Sequence, residues 1–131
     1  MRMKFVDLFE HAIKLGFKTI PVEEQYYKMT FETNDSLNIE ISFPNDTIDE
    51  DLGDNVNIDW DYRIKNKENV EIHREWFDYY SGNAKTKIEN MQSDIFIYIN
   101  NFANSKFKII QRSALSLFGV KFFKYKELIF E

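Results

Sequence analysis

Apolar residues recur at three- and four-residue steps in two stretches of this chain and at every second position in most of the rest. Over residues 4–15, Phe5, Phe9, Ala12 and Ile13 form one stripe, widened by Leu8 and Leu15. That spacing predicts an amphipathic helix. Gly16 follows where a left-handed C-cap belongs, and Pro21 prevents continuation. The second stripe, Ile88, Met91, Ile95, Tyr98, Ile99 and Phe102, predicts a helix over 83–102 with Ser81 or Asn83 as its N-cap.

Between the helices the period is two. Tyr27, Met29 and Phe31 share one face of a strand over 26–33. Leu37, Ile39, Ile41 and Phe43 share one face of a strand over 37–43. Both sets are odd-numbered, so an antiparallel pair keeps them on one side only when opposed numbers sum to an even value. A turn at Asn34-Asp35-Ser36 meets that condition and places Phe31 opposite Ile39 and Met29 opposite Ile41.

The cleanest alternation is Val56, Ile58, Trp60, Tyr62 and Ile64 over 55–65, resumed by Val70, Ile72 and Trp76. A turn centred on Lys67 sets Ile64 against Val70 and Tyr62 against Ile72, with Trp76 on the same buried face. Residues 106–130 return to strand character, and 113–118 read equally as strand or short helix. The expected order is α-β-β-β-β-α-β-β. Strands grouped in hairpins imply one α+β domain over 1–131, mainly antiparallel, with the two helices packed on one face of the sheet.

The chain has 131 residues, no cysteine and 13 Phe, and 44% of it is hydrophobic. One domain of that size buries a sufficient core without a staple. Zero Cys excludes disulfides, thiolate metal sites and a cysteine nucleophile. No run is long enough to span a bilayer. Met1 to Lys4 lead into an amphipathic stretch rather than a continuous apolar one, so no signal peptide is expected and the expected location is the cytoplasm.

The four glycines stand at 16, 53, 82 and 119, too scattered for a phosphate-cradling loop. The Asp49–Trp60 window fails as an EF-hand: the glycine is at the fifth position, Asp54 at the sixth, and Trp60 where a bidentate Glu belongs. No cofactor is expected. In the expected register of the second hairpin, Arg63 pairs with Glu71, Asp61 faces His73, and Asp59 faces Glu75. Asp59, Asp61, His73 and Glu75 would then share a face with the ligand types of a metal-dependent hydrolase. A solvated sheet face is the competing reading.

Charge changes the picture most. The net −5 hides a segment, residues 44–61, with seven acids (Asp46, Asp49, Glu50, Asp51, Asp54, Asp59, Asp61) and no Lys or Arg. Residues 101–131 carry six basic and two acidic residues. Concentrated carboxylates steer association with a basic partner, and a cleft built for phosphate is such a partner. The C-terminal lysines suit edge-strand protection, and the negative balance sets nucleic acid aside as a ligand.

A single acidic domain without cofactor or catalytic signature resembles, at the level of class, the small antidote proteins of bacterial toxin–immunity systems. The reading that follows is a non-enzymatic inhibitor that occludes a basic toxin or nuclease domain through the seven acids. A phage or mobile-element inhibitor of host defence uses the same physics. The small hydrolase on the second hairpin is the third expectation.

Overall fold

The computed structural model describes residues 4–20, 25–46, 58–80, 82–117 and 120–131. Helix α1 spans Phe5–Lys14, and the stripe read from the sequence buries Phe5, Leu8 and Ala12. Its C-terminus closes as a Schellman motif. The Gly16 amide donates to Ile13, the Phe17 amide donates to Ala12, and Gly16 has φ 109°. A Cβ there would also meet the Phe31 ring at 3.3 Å, so both backbone and packing require glycine.

Five strands follow as an antiparallel meander in the order β1-β2-β3-β4-β5: Lys18–Thr19, Tyr26–Glu32, Asn38–Pro44, Asp59–Lys65 and Glu71–Asp78. The β2–β3 register is the expected one, Phe31 opposite Ile39 and Met29 opposite Ile41. Its turn uses Ser36 at φ 63°, with the Thr33 amide donating to the Leu37 carbonyl. The short β1 was not anticipated. Helix α2, Ala84–Ala103, begins at Asn83, whose side chain accepts from the Thr86 amide at 2.9 Å. Strands β6 (Phe107–Leu117) and β7 (Val120–Phe130) form a separate antiparallel hairpin, so residues 113–117 are strand.

One core joins these elements. Met29, Ile39, Ile41 and Phe43 from β2 and β3, and Trp60, Tyr62 and Ile64 from β4, are buried with residues of both helices. Phe107 and Phe130 attach the β6–β7 hairpin to it, at 5.3 Å from the Phe102 ring and 4.8 Å from the Tyr98 ring.

The second hairpin departs from expectation. The Asn66 amide donates to Val70, Asn69 takes φ 63°, and Asn66 Oδ1 accepts from the amides of Glu68 and Val70. The turn therefore centres on Glu68, not Lys67. A β-bulge follows: Lys65 pairs with Glu71, but Ile64 pairs with His73, leaving Ile72 as the extra residue. One inserted residue flips every later side chain to the other face. Tyr62 thus faces Glu75, Arg63 faces Arg74, Asp61 faces Trp76, and Asp59 faces Asp78. Trp76, expected in the core, is 61% exposed.

Candidate functional site

The face of the sheet turned away from the core is its polar one. Along β3 and β4, core residues alternate with half-buried neighbours. The half-buried set comprises Asn38, Glu40 and Ser42 on β3 and Asp59, Asp61, Arg63 and Lys65 on β4. Arg74 and Trp76 of β5 are exposed beside them.

Two carboxylates of the acid-rich segment organise this face. Asp59 Oδ1 accepts from the Tyr26 hydroxyl at 3.0 Å, and Oδ2 accepts from the Trp76 indole at 3.0 Å. One side chain thereby fixes aromatic groups from β2 and β5. Asp61 lies 3.9 Å from Arg63 and 3.8 Å from Arg74, contacts too long for strong pairing. Burial raises its pKa above the usual carboxylate range, against the lowering by Arg74 and then Arg63, while Asp59 adds to the rise. Glu40 is held by Lys65 at 3.1 Å.

Two adjoining hollows of about 240 and 210 Å³ run across this face and share Lys28, Ser42, Asp61 and Arg74. Ser42 has the shortest side chain of these four. A separate cleft of about 580 Å³ lies between the hairpin ends, lined by Lys18, Asn38, Asn66, Lys67 and Asn69 among others. Neither histidine lines any of the three. His11 Nε2 bonds to Asn100 Oδ1 at 2.8 Å, and its ring stacks on Phe96.

The anticipated hydrolase cluster is not assembled. The bulge sends His73 and Glu75 to the core-facing side, opposite Ile64 and Tyr62, while Asp59 and Asp61 stay on the outer face. His73 is buried and its Nε2 has no hydrogen-bond partner, 3.7 Å from Glu75. The Tyr62 hydroxyl donates to Glu75. Among the described residues, no group of three or more His, Asp or Glu is placed to hold a metal ion.

Asp46 has a role in the fold itself. Its two oxygens accept from the amides of Phe5 at 2.8 Å and Val6 at 2.9 Å, the first free donors of α1. The carboxylate thus caps a helix some forty residues away. Asp46→Ala is expected to destabilise the fold by about 1–2 kcal/mol, read as a lower thermal midpoint, while Asp46→Asn, which keeps an acceptor, loses less. An unchanged midpoint for Asp46→Ala would contradict the cap. Asp49, Glu50, Asp51 and Asp54 lie outside the described residues.

Tyr26, Lys28, Ser42, Arg74 and Trp76 complete this surface; the sequence pattern put Trp76 in the core and pointed to none of the other four. The first three follow from parity alone, because they alternate with residues of the buried set. Arg74 and Trp76 required the bulge. Comparison with protein-family models, with curated proteins and with solved structures finds no match to this chain.

Proposed function

We propose that the chain is a non-enzymatic binding protein of the immunity kind, acting in the cytoplasm, which neutralises a basic toxin, a nuclease domain above all, by covering its active site. One observation carries the reading: the acid-only segment 44–61 leads into β4, where Asp59 and Asp61 stand on a sheet face whose side chains are only half-buried. Carboxylates in that setting speed encounter with a basic cleft and fix its orientation. Fixed aromatic groups beside them supply contact area at little entropic cost.

Asp46 is occupied as a cap, so the contact set is Asp49, Glu50, Asp51, Asp54, Asp59 and Asp61. The separation of Asp59 and Asp61 from His73 and Glu75 removes the geometric basis for the hydrolase alternative. An inhibitor of a host defence enzyme remains the second reading, since the same surface serves it.

The test pairs this protein with the product of the adjacent reading frame. Stoichiometric loss of that product's nuclease activity is expected, without turnover. The triple variant Asp49→Asn, Glu50→Gln, Asp51→Asn should weaken binding at least about tenfold at low salt, mainly through the association rate. Unchanged affinity in the triple variant would refute the acidic contact surface. A neighbour without toxicity, together with inhibition of a purified defence nuclease, would favour the second reading.

A further inference from the structure

The two edges of the five-stranded sheet are treated differently. β1 is two residues long and begins with Lys18, a blunted edge. β5 is eight residues long, Glu71–Asp78, with no Lys, Pro or Gly. Among the described residues it pairs with β4 alone. A bare edge of that length is a template for another strand.

The free peptide groups can be assigned. The Tyr79 amide donates to the Ile58 carbonyl across the end of the β4–β5 ladder. In an antiparallel pair the bonded positions alternate. Beyond the bulge, His73, Glu75 and Phe77 therefore turn their peptide groups toward β4, and Arg74, Trp76 and Asp78 turn theirs outward. The same three residues put their side chains on the outer sheet face.

These three residues read as cation, aromatic, anion, two positions apart. Within the chain each charge stands opposite one of its own sign. Arg74 stands opposite Arg63, with Asp61 at 3.8 Å as its acidic neighbour, and Asp78 stands opposite Asp59. Like charges directly opposed are destabilising. Asp78 Oδ1 also has no hydrogen-bond partner, its other oxygen accepting from Tyr80.

We propose that two copies of the chain pair antiparallel along β5, centred on Trp76, to form one continuous ten-stranded sheet. In that register Trp76 of one copy lies opposite Trp76 of the other. Arg74 of each copy falls opposite Asp78 of its mate, so two oppositely charged pairs flank an aromatic centre. Centring on Arg74 opposes two guanidinium groups, and centring on Glu75 opposes two carboxylates; centring on Phe77 leaves Arg74 and Asp78 of the two copies unopposed to each other. Because the contact uses the same edge from both copies, it closes as a dimer and does not propagate. The Asp59 bond to the Trp76 indole fixes the aromatic side chain before the second copy arrives.

The experiment is sedimentation equilibrium of the full chain over roughly 1–200 µM, which brackets the affinities of small interfaces. A reversible dimer is expected. Arg74→Asp alone and Asp78→Arg alone should each weaken it by at least about tenfold, because each opposes like charges twice. Mixed in equal amounts, the two variants should form a heterodimer, since every pair across the contact is then of opposite sign. Arg74→Pro removes one outward amide, leaves the β4 ladder intact, and should also yield monomer. Circular dichroism identifies variants that retain the fold. A wild-type monomer throughout the range would overturn the proposal. So would a dimer that survives both Arg74→Asp and Arg74→Pro, or a mixture that fails to associate. No toxin or other partner enters the assay, so the result stands apart from the immunity reading.

Discussion

Trp60→Ala is expected to remove about 3–5 kcal/mol of stability, a large share of the 5–15 kcal/mol that a small domain holds. Trp60 is buried near the start of β4. Its ring stacks on Phe77 at 4.5 Å and meets the Tyr98 ring edge-on at 5.1 Å. Its indole N–H donates to the Tyr79 hydroxyl at 2.9 Å, and that hydroxyl donates to Asp94 at 2.7 Å. Removal opens a cavity between sheet and helix and strips a hydrogen bond from a half-buried hydroxyl. Trp60→Phe retains most ring contacts and should cost clearly less. Urea unfolding followed by far-ultraviolet circular dichroism measures both, and a loss under about 1 kcal/mol for the alanine variant would show that the core relaxes around the gap.

Alkali is expected to unfold the protein well before its arginines lose charge. Three phenols, Tyr62, Tyr79 and Tyr98, have raised pKa values, in each case chiefly because burial disfavours the phenolate. The Glu75 carboxylate that accepts from Tyr62 adds to its rise. The Asp94 bond adds to that of Tyr79, against the opposing bond from Trp60. Tyr98 is pushed up to about 12 from 10.0, with Glu75 and Asp94 as further causes.

In the unfolded chain these phenols ionise near their ordinary value, so above it the folded state binds more protons. The phenols' contribution to stability is full below pH 10 and falls as pH rises from 10 toward 12. The slope scales with the number of such phenols, so Tyr98→Phe should flatten it and Tyr98→Phe with Tyr79→Phe should flatten it further. Urea midpoints across that range are the measurement. A midpoint independent of pH would mean that the phenols ionise in place.

The elements whose burial depends on period alone were legible in the sequence. The stripe of α2 and the odd-numbered faces of β2 and β3 each follow from several residues that agree, and one turn with a single solution for parity set the first register. The second hairpin failed for a specific reason. Strict alternation places Ile72 inward and His73 and Glu75 outward. Ile72 does pack against the core, but the bulge turns His73 and Glu75 to that side as well, and Glu75 is tolerated there because the Tyr62 hydroxyl donates to it. No single residue marks an insertion of this kind. The candidate site suffered with it: Trp76 moved from core to surface, and a four-residue ligand set divided between two faces. The cap from Asp46 was equally hidden, because a contact with residues 5 and 6 has no local signature.

That cap has a bearing on the order of folding. A helix as short as the ten residues of α1 is marginal on its own. Its first amides are satisfied by a residue just beyond the end of β3. During synthesis α1 leaves the ribosome before the β2–β3 hairpin yet must wait for it before its leading turn is secured. The nascent chain therefore has reason to fold from the hairpin outward, with the N-terminal helix consolidating after a later segment returns to hold it.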